Sequence, residues 1–270
     1  MHLLPLVLSA AAALALAPGL RAGLVTGGHT IENYRGVRIA CPLGIVIIAG
    51  AVVALGISGA LAQLDVTDPQ VALAPAFVFG VAALGLVDDA YSGASRGWRG
   101  HGGALKAGQF PTGALKALGT LALAAWVLQS ADDTLRYLLA IVVLVLAVNL
   151  FNIVDLRPGR AVKLFVALAA VLVAIEGTAL LEGIGFFAGA ILVVGLYDLR
   201  ERGMLGDTGS NLIGAVAGLA LLQTIDSTTG LAITAAVLAA ITAYGEFRSL
   251  SAFVDRAPGL RHLDSLGRIQ

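Results

Sequence analysis

Long runs of apolar residues alternate with short polar segments along most of the chain. An α-helix needs about 20 mostly apolar residues to cross roughly 30 Å of hydrocarbon. By that measure the pattern predicts nine membrane-spanning helices, at about residues 2–21, 40–62, 71–88, 114–130, 135–154, 161–176, 180–198, 211–226 and 229–246. The predicted fold is therefore an all-α, polytopic transmembrane helical bundle over residues 1–246, followed by a polar tail over residues 247–270.

The composition agrees with a membrane protein. The 270 residues are 58% hydrophobic and only 13% charged, whereas about 25% of an ordinary soluble domain is charged. The formal net charge is zero, so the composition favours no nucleic-acid partner. The first apolar segment lacks the Lys or Arg residues that precede the apolar region of a signal peptide, which favours a retained helix.

Basic residues fall on one side when the nine segments are threaded alternately through a bilayer. Of the 17 Lys and Arg residues, 16 lie on that side and only Arg136 lies on the other. Positive charge collects in cytoplasmic loops, so the pattern predicts a cytoplasmic C-terminus and an N-terminus outside. Three polar segments then share the cytoplasmic face: residues 88–116, 149–163 and 199–211.

Each of these segments sets carboxylates beside an apolar run. Asp88 and Asp89 end the third predicted helix, and Asn149, Asn152 and Asp155 follow one another at intervals of three at the end of the fifth. Residues three apart in a helix lie on nearly the same face. Adjacent carboxylates near hydrocarbon are costly without a positive partner, so a divalent metal or a basic group from another segment is expected.

The third segment contains Asp207 in the glycine-rich turn G-D-T-G-S, just before a predicted helix. The free N–H groups of a helix N-terminus favour anionic oxygens, and carboxylates with amides suit magnesium and a diphosphate. Plain structural interpretations stay open for each part. Asp207 can cap its helix, the asparagines can bond between helices, and the basic residues Lys116, Arg96, Arg99 and Lys106 can simply face the cytoplasm.

Four motifs occur in a fixed order: V-D-D at 87–89, T-G-A-L-K at 112–116, N-L-F-N-I-V-D at 149–155 and G-D-T-G-S at 206–210. This ordered set resembles the polyprenyl-phosphate N-acetylhexosamine-1-phosphate transferases, which include phospho-N-acetylmuramoyl-pentapeptide transferase and the polyprenyl-phosphate GlcNAc-1-phosphate transferases. The resemblance covers about residues 30–225. It implies transfer of a sugar-1-phosphate from a UDP-sugar to a polyprenyl phosphate in the plasma membrane, with release of UMP, for cell-envelope glycan synthesis.

The resemblance also implies roles for individual residues, with Mg²⁺ (or Mn²⁺) as cofactor and the reaction on the cytoplasmic face. Asp88 and Asp89 would face the lipid phosphate, and one of them is a candidate base. The full set is catalytic Asp88, Asp89 and Asp155; metal-binding Asp155 and Asp207; and substrate-binding Lys116, Asn149, Asn152, Arg157, Arg160, Gly209 and Ser210. The bilayer, the lipid phosphate and the UDP-sugar are the expected partners, and a homodimer is left open.

The chain departs from the family at two places. The second aspartate of the family's D-G-x-D-G motif is replaced by Pro158. Arg157 and Arg160 lie on either side of it and are candidate contacts to the diphosphate. The family's His-rich loop has no counterpart in this sequence. These departures keep open a non-catalytic member that binds polyprenyl phosphate or an envelope-assembly partner; a transporter is a weaker alternative. The amphipathic tail is expected either to lie on the membrane surface or to cover the site as a lid.

Overall fold

The computed structural model describes residues 2–64, 74–91, 112–129 and 133–268. These residues form an almost entirely helical protein with one small β-hairpin. Its elements are α1 Leu4–Thr26, β1 Thr30–Glu32, β2 Arg38–Ala40, α2 Gly44–Ala62, α3 Ala74–Tyr91, α4 Thr112–Val127, α5 Thr134–Val154, α6 Arg160–Glu176, α7 Leu180–Leu199, α8 Gly206–Thr224, α9 Thr228–Phe247, α10 Leu250–Arg256 and α11 Pro258–Ser265. The strands β1 and β2 pair antiparallel.

The prediction of an all-α protein with membrane-spanning helices is confirmed at that level. Each of the nine predicted segments coincides with one of the helices α1 to α9. Within the described residues, five segments are long and apolar enough to cross a membrane: Leu4–Thr26, Gly44–Ala62, Thr134–Val154, Arg160–Leu199 and Thr228–Phe247. The full number of spans and their direction stay predictions. The basic loop residues Arg96, Arg99 and Lys106 lie outside the described residues.

The 40-residue apolar segment Arg160–Leu199 is two antiparallel helices rather than one long one. A short 3₁₀ turn, Gly177–Ala179, separates α6 from α7. Near the other end of the pair, a Cβ atom on Gly195 would lie 2.6 Å from Cγ1 of Val162. The start of α6 and the end of α7 therefore lie side by side, as in an antiparallel helical hairpin.

Helix α8 is the centre of the bundle. Its side chains are buried continuously from Thr208 to Gly218, and it packs against α2, α3, α5, α6 and α7. A helix that is apolar and small on all sides belongs in the interior of a bundle. Asp207 sits in the first turn of α8, so the central helix carries one of the predicted site residues at its start.

The ends of the helices meet in two separate groups. At one end, which we call the site end, Asp89 contacts the start of α8 and Arg160 contacts the C-terminal tail. At the other end, Arg136 donates hydrogen bonds to the main-chain carbonyls of Ile225 and Asp226. The described parts of the predicted polar segments therefore gather at the site end, and Arg136 lies at the opposite one.

Candidate functional site

Lys116 joins three of the predicted motifs at the site end. Its Nζ lies 3.2 Å from Oδ2 of Asp88 and 2.5 Å from Oδ2 of Asp207. The three side chains come from α4, α3 and α8, and each is between 13% and 33% exposed. A positive charge between two carboxylates offsets the cost of removing all three groups from water. The structure thus brings together residues that lie up to 119 positions apart in the sequence.

Asp89 holds the start of α8. Its carboxylate accepts hydrogen bonds from the backbone N–H of Asp207 at 2.9 Å, from the backbone N–H of Thr208 at 2.8 Å and from Oγ1 of Thr208 at 2.6 Å. The residue before α8, Leu205, has no side-chain cap. A carboxylate on α3 therefore supplies the cap that a local Ser or Asp would normally provide, and its negative charge favours the helix N-terminus.

The close approach of α3 and α8 at this point depends on a glycine. A Cβ atom on Gly85 would lie 2.5 Å from the carbonyl oxygen of Asp207 and 2.8 Å from Cα of Thr208. Both atoms are main-chain atoms and cannot rotate away. Gly85 thereby allows Asp88 and Asp89, one turn further along α3, to reach the start of α8.

Asp155 follows directly on α5 and faces other carboxylates. Within the described residues its side chain makes no hydrogen bond. Loss of hydration raises the pKa of Asp155 well above its ordinary value, and the carboxylates of Asp198, Asp207 and Asp89 raise it further. The group lies close enough to all three to interact electrostatically, and Arg160 acts in the opposite direction.

The asparagines of α5 differ in their contacts. Nδ2 of Asn152 donates to Oγ of Ser210 at 3.3 Å, and Ser210 donates in turn to the carbonyl of Gly206 at 3.1 Å. Asn149 is partly exposed one turn earlier. Gly209 is buried where α8 meets the start of α2. Asn152 and Ser210 therefore link the end of α5 to the first turn of α8, whereas Gly209 serves helix packing.

One carboxylate near the site was missed by the sequence analysis. Asp198, at the end of α7, is 3% exposed and accepts a hydrogen bond from the backbone N–H of Gly159 at 2.6 Å. Gly159 has a left-handed φ of 74°. The hydrogen bond fixes the turn that follows Asp155. The signal was available, because a carboxylate at the predicted cytoplasmic end of an apolar helix is the same feature that singled out Asp88.

The two arginines beside Pro158 contact the C-terminal tail. Nη2 of Arg157 lies 3.6 Å from Asp255, and the guanidinium group of Arg160 forms two hydrogen bonds to Asp264, at 2.9 and 3.0 Å. Although loss of hydration acts to raise the pKa of Asp264, hydrogen bonds from Arg160 and Arg268 lower it below its ordinary value. Both residues predicted to contact a diphosphate thus lie against carboxylates of the chain itself.

Two buried polar side chains, one helical turn from the Lys116 ion pair, have no hydrogen-bond partner within the described structure. Asn211 is fully buried and both its amide atoms are unpaired, and Thr120 is 2% exposed with an unpaired hydroxyl. Each lies four residues, or about one helical turn, beyond a member of the ion pair: Thr120 beyond Lys116 and Asn211 beyond Asp207. Neither residue was singled out from the sequence.

The donor set at the site end fits magnesium. No group of three or more His, Cys, Asp or Glu residues among those described is arranged to hold a metal ion. Magnesium, however, is usually bound by one or two protein carboxylates, and substrate phosphates and water complete its coordination. Asp155 and Asp207 supply two such carboxylates, and those of Asp89 and Asp198 lie close enough to interact with Asp155.

No protein-family model matches the chain, and no curated protein matches it either. The fold and the site together define a helical protein of membrane type with a cluster of carboxylates, one lysine and two amide-bearing residues at one end of its bundle. The resemblance to the sugar-phosphate transferases stays a prediction that rests on the four ordered motifs.

Proposed function

We propose that the protein transfers a sugar-1-phosphate from a UDP-sugar to a polyprenyl phosphate and releases UMP. The observation that carries the proposal is the meeting of Lys116 with Asp88 and Asp207, beside Asp155. Carboxylates that can hold magnesium, with a lysine among them, match the chemistry of a site for phosphate groups.

The proposal includes nine membrane spans, with the site on the cytoplasmic side and the C-terminus inside. A helix in each of the nine apolar segments supports this arrangement. So does the hairpin of α6 and α7, which makes two passes out of one apolar stretch. The basic residues support the direction, because 16 of the 17 fall on the side assigned to the cytoplasm.

In the proposed reaction an oxygen of the lipid phosphate attacks the phosphorus that carries the sugar. A new P–O bond forms there, the P–O bond to the uridine phosphate breaks, and UMP leaves with its electron pair. Magnesium on Asp155 and Asp207 would neutralise charge on the diphosphate. Lys116 would place a second positive charge on the reacting phosphates, and Asn152 would hold the end of α5 against α8. Positioning and charge neutralisation provide most of the catalysis in such a transfer.

The test measures UMP release by the purified full-length protein in detergent, with magnesium, undecaprenyl phosphate and a panel of UDP-sugars. We expect lipid-dependent release of UMP with one donor. Asp207→Asn should release UMP about a hundredfold more slowly, because a charge-neutralising contact is removed. Asp226→Asn is the matched control, since Asp226 lies just beyond the other end of α8. Equal activity in the two variants would contradict the proposed site.

A second candidate is a non-catalytic protein that binds polyprenyl phosphate. The pairing of Arg157 and Arg160 with carboxylates of the tail favours it, because those arginines were expected to contact the donor. Binding of undecaprenyl phosphate without UMP release from any UDP-sugar would select this candidate.

A further inference from the structure

Three positively charged side chains converge on Asp264 of the tail, two on its carboxylate and one on its main-chain carbonyl. Arg160 and Arg268 each donate two hydrogen bonds to Asp264, at 2.6 to 3.0 Å, so each carboxylate oxygen accepts one from each guanidinium group. Lys163 donates to the main-chain carbonyls of Leu263 and Asp264 at 3.1 and 2.6 Å. The side chains of Arg160, Arg268 and Asp264 are 8%, 10% and 8% exposed.

This arrangement is the one that a phosphate group would receive. Guanidinium groups bind carboxylates and phosphates through the same paired, parallel hydrogen bonds. Asp264 offers two oxygens and one negative charge to two guanidinium groups, and the ammonium group of Lys163 lies beside them on the main-chain carbonyls. A phosphate dianion offers more oxygens and twice the charge of Asp264, so it suits the same three side chains better.

Charged and polar contacts, together with packing that is only partly buried, hold the tail to the bundle. Between Arg248 and Arg268, Asp264 is the only buried residue, while Phe253, Leu260, Leu263 and Leu266 are exposed. Exposed ion pairs such as Arg157 with Asp255 contribute only about 0–1 kcal/mol. The docked position of α11 therefore depends mainly on Asp264, and a competing anion can displace it, whereas α10 is also held by a hydrogen bond from Arg160 to Oγ of Ser251 at 3.0 Å.

We propose that Arg160, Lys163 and Arg268 form a phosphate-binding clamp, which Asp264 occupies when no ligand is bound. A phosphate group on the two guanidinium groups displaces Asp264, and α11 moves with it. That movement releases Lys163 from the carbonyls of α11, so a third cation joins the phosphate. Arg268 stays in place through its hydrogen bond to the carbonyl of Pro158, at 2.9 Å.

The clamp adjoins the proposed active site through the turn that joins Asp155 to Arg160. Its ligand is a phosphate group, and two sources share that chemistry: the diphosphate of a nucleotide and the phosphate of a prenyl lipid. The choice between these sources rests on the proposed function, but binding at the clamp does not.

The experiment follows the tail directly in full-length protein in detergent. A fluorescent dye is placed at Arg261→Cys, an exposed position of α11, in a Cys41→Ser background. Its anisotropy is recorded during titration with inorganic pyrophosphate, UDP or farnesyl phosphate, with EDTA present so that no divalent metal contributes. Sodium chloride at equal ionic strength controls for screening. We expect a fall in anisotropy with the phosphates and none with the chloride.

Variants test the role of each side chain. Asp264→Asn keeps the shape but removes the competing charge, so pyrophosphate should bind on the order of tenfold more tightly, and Arg160→Gln should weaken binding by a similar factor. Asp255→Asn is the matched control, because it removes a tail carboxylate outside the clamp, and its affinity should stay within about twofold of the parent. Isothermal titration of the unlabelled proteins measures these affinities.

The outcomes separate the alternatives. A response to UDP and pyrophosphate alone indicates a nucleotide ligand, and a response to farnesyl phosphate alone indicates the lipid. If the parent protein responds to none of pyrophosphate, UDP and farnesyl phosphate, the proposal is overturned, whether or not Asp264→Asn folds. An unchanged affinity for pyrophosphate in a folded Asp264→Asn overturns it as well. A clear response together with no UMP release from any donor keeps the clamp and rejects the transferase.

Discussion

The contact between α3 and α8 can be tested by adding a single methyl group. In Gly85→Ala the new Cβ would lie 2.5 Å from the carbonyl oxygen of Asp207. Real Cβ atoms do not approach within 3.0 Å of such atoms, so α3 must move by at least about half an ångström. The movement displaces Asp89, whose carboxylate accepts three hydrogen bonds from the start of α8.

Two opposing effects determine the change in stability. Alanine is better than glycine in a helix interior by about 1 kcal/mol, whereas overpacking a tight contact costs about 1–3 kcal/mol. We therefore expect Gly85→Ala to lose up to about 2 kcal/mol. Gly56→Ala, in α2, is the matched control because nothing lies within 4 Å of its new Cβ. It should keep only the gain, about 1 kcal/mol or less.

Thermal unfolding of both variants in the same detergent measures the difference. UMP release provides a second measurement, since a misplacement of about 1 Å in a reacting group can cost about a hundredfold in rate. If Gly85→Ala proves as stable as Gly56→Ala, α3 and α8 do not approach as closely as the structure has them. Asp89 would then not cap α8 in the way described either.

Three further predictions concern the charged groups. Lys116→Met leaves Asp88 and Asp207 without their shared cation, so without metal its free energy of unfolding should fall by about 1–3 kcal/mol. In the same melting assay, added magnesium should raise its unfolding temperature more than that of the parent. Asp89→Asn keeps one acceptor oxygen for the start of α8, so it should lose less stability than Asp89→Ala. A complete loss of UMP release in Asp89→Asn, with stability close to that of the parent, would identify Asp89 as the base rather than the cap. The pKa of Asp264 is lowered in the folded protein. Its contribution to docking is therefore complete above its ordinary pKa of about 3.9 and is lost as the pH falls through the lowered value. The dye at Arg261→Cys should report release of the tail in an acid titration, and the transition should be absent in Asp264→Asn.

The hydrophobic pattern predicted the helices well because each helix is apolar over most of its length. It also separated α6 from α7, where Gly177 adopts a left-handed φ of 74°. Helix ends were less predictable, since they depend on particular caps. Asp133 caps α5 through the backbone N–H groups of Leu135 and Arg136, and such a hydrogen bond leaves little trace in the apolar pattern.

Contacts between distant segments were the part that the sequence could not supply. A helix cap is normally sought just before the helix, but α8 receives its cap from Asp89 on α3. Arg160 was expected to contact a diphosphate, and its partner Asp264 lies 104 residues away. Only the folded chain shows that a carboxylate of the tail reaches Arg160 when no ligand is present.

The carboxylates of the site end divide by the hydrogen bonds they already make. Asp89 and Asp264 are fully engaged with N–H and O–H donors, and both hold one segment of the chain to another. Asp155 has no such donor among the described residues, and Asp207 contacts the side chains of Lys116 and Asp88. A hard cation gains most from carboxylates that are not yet neutralised. Under the proposed function Asp155 and Asp207 would hold the metal, and Lys116 would yield part of its contact with Asp207 when the metal binds.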